Sequence, residues 1–207
     1  MTKVISIVSN SSEVGKTTLA INLAAAFHLR NKRVLLIDNS SYDYNIKPEN
    51  WDITSPLTQF CICSLKFCEN LKHVEILKSP FDIVIIDGMP TSKGYFYQAI
   101  SDYVLVPVFP STFSVENLTP LMESFVSNST KSNIAIVFNK GTKGKDIPGE
   151  TFALAKQYGR PIFNAILNKH PELQSTLLKS KHIFSDGESI PGHEINSITE
   201  ELIARMG

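Results

Sequence analysis

The sequence lacks an excess of charge of either sign. Among its 207 residues, Lys and Arg together number 20 and Asp and Glu together also number 20, so the formal net charge is zero. A protein that attracts a polyanion through its overall field carries a strong positive excess. Any contact with DNA must therefore come from a local basic patch.

Long apolar segments are also missing. No apolar run approaches the roughly 20 residues that span a bilayer, and the short run at 1–9 is followed directly by polar residues, unlike a secretory signal. We therefore expect a soluble, cytoplasmic protein that has no membrane partner.

Cysteine is scarce, with three residues that are bunched in one segment: Cys61, Cys63 and Cys68. An odd number without an export signal argues against disulfides, and the spacing matches none of the common zinc patterns. We expect free thiols on a helix or in its packing.

Apolar runs alternate with helical patterns, which is typical of a parallel sheet covered on both faces. A helix is predicted at 17–30, ending at Asn31 and Lys32, and short helices and loops are predicted for 40–80. The expected fold is a doubly wound α/β domain with a mostly parallel sheet, in one unit over 1–207, since no linker or repeat divides the chain. The predicted strands are 4–9, 34–38, 83–87, 103–109, 134–138 and 161–167.

The tripeptide Gly15-Lys16-Thr17 follows the first strand and opens the first helix, which is the context of a phosphate-binding loop. The helix N-terminus offers N–H groups to phosphate, Lys16 would reach the β and γ phosphates, and the Thr17 hydroxyl would ligate Mg²⁺. Asn10 stands where the usual loop has its first glycine. The predicted nucleotide-binding residues here are Ser11, Ser12, Glu13, Val14, Gly15, Lys16, Thr17 and Thr18.

Two apolar runs end on a carboxylate: VLLID at Asp38 and IVIID at Asp87. A buried strand that ends in a carboxylate needs a cation or hydrogen-bond donors to meet it. A magnesium ion would meet that need at Asp87. Alternatively, each aspartate only caps the loop or helix that follows it.

Five blocks resemble the ParA/MinD family of deviant-Walker ATPases in order and spacing: VISIVSNSSEVGKTTLAINLAAAF, RVLLIDNS, FDIVIIDGMP, SDYVLVPVFPSTFSVENL and IAIVFNK. The segment HPELQSTLLKSKHIFSD is also similar to the family. The resemblance implies a P-loop NTPase that uses ATP and Mg²⁺. It further implies that Asp87 is the Walker B carboxylate, that Asp38 orders the metal and the attacking water, and that Lys16 and Asp38 serve catalysis.

The sequence departs from the family at the loop, which normally reads Lys-Gly-Gly-x-Gly-Lys-Thr. Ser11 replaces the lysine that reaches the partner's ATP across a dimer, and Asn39, Ser40 and Ser41 replace the usual residues after Asp38. Each lost charge weakens electrostatic stabilisation of phosphoryl transfer, so we expect a weak Mg-dependent ATPase. The lysines that could substitute are Lys140, Lys143 and Lys145.

The run Asn139-Lys140-Gly141-Thr142 resembles the N-K-x-D signature of GTPases but lacks its acid. Thr142 has no carboxylate to accept the guanine N–H donors, so ATP is preferred over GTP. The resemblance makes Asn139 an adenine contact, although it could also only cap a turn.

The resemblance implies an ATP-dependent homodimer that partitions or positions DNA or another cytoplasmic cargo with a ParB-like or cargo-adaptor protein. Lys169, Lys179 and Lys181, with His170 and His182 nearby, are either a non-specific DNA contact or a solvated face. The last helix carries acidic residues beside its apolar face, which favours packing over membrane attachment; that face comprises Ile195, Ile198, Leu202 and Ile203.

Two alternatives remain open. The run Glu13-Val14-Gly15-Lys16-Thr17 also looks like the loop of dethiobiotin synthetase, an ATP-dependent ligase, but the residues after the second and third strands do not match that enzyme. The other alternative is an adaptor that binds nucleotide and no longer hydrolyses it.

Overall fold

The computed structural model describes residues 1–38, 61–64, 81–125, 133–142, 146–178, 181–185 and 187–207. Its strands are β1 (Lys3–Ile7), β2 (Val34–Asp38), β3 (Cys61–Ser64), β4 (Ile83–Asp87), β5 (Tyr103–Val108), β6 (Asn133–Gly141) and β7 (Leu167–Asn168). Its helices are α1 (Lys16–His28), α2 (Tyr95–Ile100), α3 (Thr112–Glu116), α4 (Thr119–Ser124), α5 (Gly149–Lys156), α6 (Pro171–Leu178) and α7 (Ile190–Met206). The predictions that lie outside the described ranges concern Asn39, Ser40, Ser41, Cys68, Lys143, Lys145 and Lys179.

The strands form one sheet in the order β3-β2-β4-β1-β5-β6-β7. Every strand pair in the described ranges is parallel, which confirms the predicted fold class. The chain leaves β1 toward β2 on one side, whereas the connection from β4 to β5 crosses to the other side. The strand order therefore reverses beside β1, and open α/β sheets bind ligands at the carboxyl end of such a point.

Helices cover both faces of the sheet, because successive residues of each buried strand point to opposite faces. On one face, α1, α6 and α7 enclose a core with Ile5, Ile7 and Leu105. On the other face, α2 to α5 pack against Val4, Val104 and their neighbours. Both layers leave the carboxyl edge of the central strands to the loops that carry polar side chains.

The predicted first helix is confirmed within two residues at each end. Asn31 adopts a left-handed conformation with φ of 59°, Lys32 N donates to Phe27 O, and Asn31 N donates to His28 O. This pair of bonds is a Schellman-type ending, which asparagine tolerates because its φ can be positive. The end of α1 was therefore correctly placed at Asn31 and Lys32.

Two predictions of secondary structure were wrong in part: short helices and loops over 40–80, and a strand at 161–167. Cys61–Ser64 forms β3 beside β2, so Cys61 and Cys63 lie on a strand and not on a helix. The predicted strand at 161–167 is reduced to a bridge at Ile162 and the short β7. Its middle is not paired to a strand because the Asn164 and Ala165 N–H groups donate to the Glu201 carboxylate of α7, at 3.0–3.1 Å.

The last helix packs mainly through one face, as predicted. Ile195, Ile198 and Leu202 are fully buried in the core shared with α1. Ile203 was wrongly assigned to that face, since it is 39% exposed. None of the helices in the described part of the chain combines the length and the apolar character of a membrane span.

Candidate nucleotide-binding site

The loop between β1 and α1 has the backbone shape of an anion site. Gly15 precedes the helix with φ of 86°, in the left-handed region. Within the described residues no side chain caps the start of α1, so its first N–H groups remain available to a ligand. A side chain at position 15 would collide with the Asn139 amide. Glycine is therefore needed here both for the backbone angle and for the close approach.

Lys16 turns back over the loop. Its Nζ donates to the Ser11 carbonyl at 2.8 Å, and the residue is only 6% exposed. Burial lowers the pKa of this ammonium below its usual value, against an opposing effect of Asp87. The side chain thus lies inside the loop, where a phosphate would meet it.

Asp87 and Thr17 form the polar centre of the site. The Thr17 hydroxyl donates to Asp87 Oδ2 at 2.6 Å, while Asp87 is fully buried. Asp87 Oδ1 has no hydrogen-bond partner among the described residues. Burial raises the pKa of Asp87 to about 7, and the neighbouring Asp38 acts in the same direction. A buried carboxylate with an unsatisfied oxygen has the chemistry of a ligand for a hard divalent cation.

Asp38 lies directly beside Asp87, because the two residues are register partners at the ends of β2 and β4. It is 7% exposed. The structure therefore brings together all three predicted metal-site residues, Thr17, Asp87 and Asp38, at one edge of the sheet.

Asn139, predicted as a base contact, reaches the phosphate loop. Its Nδ2 donates to Val14 O at 2.6 Å and its Oδ1 accepts from Lys140 N at 2.8 Å. Lys140 Nζ donates to the Glu13 carbonyl. The sequence placed both residues at a strand end but gave no signal that they would hold the loop. An adenine contact by Asn139 stays a prediction.

The remaining loop residues differ in exposure. Ser12 and Glu13 are exposed, Ser11 is half-buried and Val14 is buried. The Thr18 carbonyl accepts from Asn22 inside the helix. Asn10 was noted only for the glycine that it replaces, yet its amide donates to the Asn117 carbonyl between α3 and α4. This bond ties the start of the loop to the opposite helical layer.

The basic cluster near the C-terminus is only partly a surface. Lys169 is exposed and Lys181 is half-buried. His182 is 2% exposed, and its Nδ1 accepts from Phe184 N at 3.1 Å. His170 lies 2.9 Å from Glu194. The two histidines therefore pack within the fold and do not extend the patch, contrary to the prediction.

A glycine-ended loop at a helix N-terminus, a lysine inside it and a threonine–aspartate pair at the sheet edge define a P-loop nucleotide-binding protein. Residues 5–183 match the CobQ/CobB/MinD/ParA nucleotide binding domain family. The chain belongs to this family, as its resemblance to ParA and MinD indicated.

The chain is also similar to two curated relatives from Pseudomonas putida. One is named an uncharacterized protein and the other an uncharacterized protein in the gidB 3' region. Each is 24% identical over 173 residues, which cover 64% of this chain and 66% of the relative. The chain thus spans about two thirds of the length of these relatives.

Solved structures resemble the fold over nearly the whole chain. A chain of the MinC:MinD cell division protein complex of Aquifex aeolicus has a TM-score of 0.76 and 20% identity, covering 98% of this chain and 96% of its own. A ParA family ATPase of Chlorobium tepidum has 0.73 and 18%, covering 97% and 98%. Pyrococcus horikoshii MinD complexed with Mg-ADP has 0.72 and 20%, covering 100% and 98%. At these identities the likeness shows a shared fold.

Proposed function

We propose that the protein binds ATP with Mg²⁺, dimerises when ATP is bound and hydrolyses it slowly, in order to partition or position DNA or another cytoplasmic cargo. The observation that carries this proposal is the buried Asp87, which has one oxygen bonded to Thr17 and one without a partner in the described ranges. Asp87 lies beside a helix N-terminus that is open to phosphate. A relative with the same fold was solved with Mg-ADP.

Each residue of the site has a defined task in this proposal. The N–H groups at the start of α1 and the Lys16 ammonium would bind the phosphates. Thr17 and Asp87 would hold Mg²⁺, which neutralises phosphate charge when bound. Asp38, at the adjacent strand end, would orient the attacking water. The cargo and a ParB-like or adaptor partner would meet surfaces outside this centre, with Lys169 and Lys181 as the described part of a DNA contact.

Slow hydrolysis is expected from the loop. Ser11 is neutral where the family has a lysine. Lys16, which is buried, remains as a cation next to the phosphate position. Charge that develops during phosphoryl transfer is stabilised by fixed cations, and one such cation is worth at least about a hundredfold in rate. Binding suffers less, because the N–H groups of the loop do not depend on Ser11.

Restoring the lost charge tests this account. We expect Ser11→Lys to raise ATP turnover by at least roughly tenfold, because it returns a cation to the transferred phosphate. Turnover is measured as phosphate release under saturating Mg-ATP. Ser12→Lys is the matched control, since it adds the same charge one residue further along the loop. An equal rate in Ser11→Lys, Ser12→Lys and the unchanged protein would contradict the explanation for slow hydrolysis.

Sedimentation tests the proposed dimer. The protein should sediment as a monomer without nucleotide and with Mg-ADP, and as a dimer with Mg-ATP. A dimer without any turnover would identify the hydrolysis-deficient adaptor. A monomer in Mg-ATP that consumes ATP only with a small-molecule acceptor would identify the ligase instead, and would reject the proposed function.

Nucleotide choice is a separate prediction. Adenine nucleotides should bind at least roughly tenfold more tightly than guanine nucleotides, because Thr142 supplies no carboxylate for the guanine N–H donors. Competition between Mg-ATP and Mg-GTP in calorimetry measures the ratio. Thr142→Asp should reduce the ratio of ATP affinity to GTP affinity, because it improves GTP binding. Equal affinities for ATP and GTP in the unchanged protein would contradict the prediction.

A further inference from the structure

Lys140 occupies an unusual backbone position. Asn139 pairs with Leu167 and Gly141 with Asn168, so Lys140 is the extra residue of a bulge between β6 and β7. Its φ is 57°, in the left-handed region that strains a residue other than glycine. Bulges of this shape commonly use glycine, and bulges near active sites re-aim a side chain. Strained backbone positions of this kind cluster at functional sites, so the contacts of the Lys140 side chain bear on function.

The bulge aims Lys140 at the phosphate loop. Its ammonium donates to the Glu13 backbone carbonyl and lies 5.1 Å from the centre of the Phe109 ring. The preceding residue, Asn139, donates to the next loop carbonyl, that of Val14, at 2.6 Å. Two consecutive residues of β6 therefore hold two consecutive carbonyls of the loop.

The orientation of these carbonyls matters to an anion. The loop presents the N–H groups nearest α1 to the ligand. Because the N–H and C=O of a trans peptide point in opposite directions, the Glu13 and Val14 carbonyls must then point away from the phosphate. A carbonyl that turned inward would repel phosphate. Glu13 makes this arrangement costly, because its own φ is 61° and positions 10–14 contain no glycine. The loop therefore needs an external restraint that glycine-rich loops do not.

We propose that Asn139 and Lys140 form a carbonyl clasp, in which they act as positioning residues that hold the loop in its phosphate-accepting conformation. Lys140 then acts within its own chain, through the Glu13 carbonyl, and not as a substitute for the missing cross-dimer lysine. The inference rests on the proposed function only in that the ligand is a nucleoside polyphosphate.

Two substitutions of Lys140 by side chains of similar length distinguish the clasp from a contact with the partner's ATP. Lys140→Met keeps the length and the strained backbone but removes the donor, whereas Lys140→Arg keeps a donor. We expect Lys140→Met to weaken ATP and ADP binding equally, by about tenfold, and Lys140→Arg to retain most of the affinity. A lysine that met the γ phosphate of the partner's ATP would affect ATP alone. An unchanged ADP affinity in Lys140→Met would overturn the proposal.

A matched control is available on α5, where Lys156 also lies over a phenylalanine ring, at 4.7 Å from that of Phe152. Lys156→Met should leave both affinities unchanged. A Glu13→Gln background tests the contact itself, since Gln keeps the backbone carbonyl. The loss caused by Lys140→Met should persist in that background. If it vanishes, the Glu13 carboxylate is the partner of Lys140 and the clasp is rejected.

A measurement without nucleotide tests the clasp independently of whether the protein binds ATP. Hydrogen exchange of the peptide covering 8–18 should be faster in Lys140→Met and Lys140→Gly than in the unchanged protein, while β1 and β4 stay protected. Lys140→Gly relieves the bulge, so its melting temperature should not fall although its loop opens. Unchanged loop exchange in both variants overturns the clasp. Absent ATP binding in the unchanged protein, with faster loop exchange in the variants, rejects the proposed function alone.

Discussion

Lys16→Ala should abolish ATP binding and leave the fold intact. The ammonium bonds the Ser11 carbonyl inside the loop, and charge-assisted hydrogen bonds to phosphate are worth about 1.5–3 kcal/mol each. Losing one of them weakens binding by at least about tenfold, and losing two weakens it by more than about a hundredfold. Stability should not fall, because burial already lowers the pKa of the Lys16 ammonium in the nucleotide-free protein. Calorimetry with Mg-ATP measures the first effect and thermal unfolding without nucleotide the second.

The matched control is Lys32→Ala, which removes an exposed lysine just after α1, beyond the end of the helix that lies away from the loop. It should bind ATP like the unchanged protein. ATP affinity that is undiminished in Lys16→Ala would rule out the proposed site. A fall in melting temperature as large as that of a core substitution would show that Lys16 holds the fold and would leave its role in binding to be judged from Lys16→Arg.

The strands next to the site could be predicted from the sequence because they are short, apolar and end on a polar residue. VLLID and IVIID correspond to β2 and β4 without any shift of boundary. Their parallel pairing then brings Asp38 beside Asp87 as a matter of register. The same reasoning overextended the strand at 161–167, since the carboxylate that binds its N–H groups belongs to Glu201, far along the chain.

The clasp on the loop could not be predicted, because its contacts join distant parts of the chain. Asn139 and Val14 are 125 residues apart, and neither residue type indicates from the sequence which residue it will contact. The left-handed angles of Glu13 and Lys140 are likewise imposed by tertiary structure, against the preference of both side chains. β3 was not predicted, for a different reason. Its four residues, Cys61–Ser64, are too few to show the alternating pattern of a strand inside a segment without clear periodicity.

Asp87→Asn should remove the effect of Mg²⁺ on ATP binding and, without metal, stabilise the protein at alkaline pH. The folded protein raises the pKa of Asp87 to about 7 from a usual value of 3.8. Between these two values the unfolded chain has released a proton that the folded chain retains, so stability falls as pH rises. Above about pH 7 the buried charge costs on the order of 4 kcal/mol. Asparagine never ionises, and its amide oxygen can still accept from Thr17.

Urea unfolding in EDTA, at pH 5 and pH 8, measures this effect. The stability of the variant relative to the unchanged protein should be clearly higher at pH 8 than at pH 5, because the loss that begins at the unfolded pKa of 3.8 is complete only above about pH 7. With Mg-ATP added at pH 8 this relative gain of the variant should reverse, because only the unchanged protein gains a bound ion that offsets the charge of Asp87.

Asp82→Asn is the control, because Asp82 directly precedes β4, the strand that ends at Asp87. Arg33 donates to Asp82 at 2.8 Å, and this hydrogen bond holds the pKa of the exposed carboxyl well below its usual value. The stability that Asp82 contributes is therefore present above the usual carboxyl pKa and lost as pH falls, which is the opposite direction. Its effect should be small because the pair is on the surface. If Asp87→Asn shows the same pH dependence as the unchanged protein, Asp87 does not carry a buried charge at pH 8, and the magnesium site built on it is rejected.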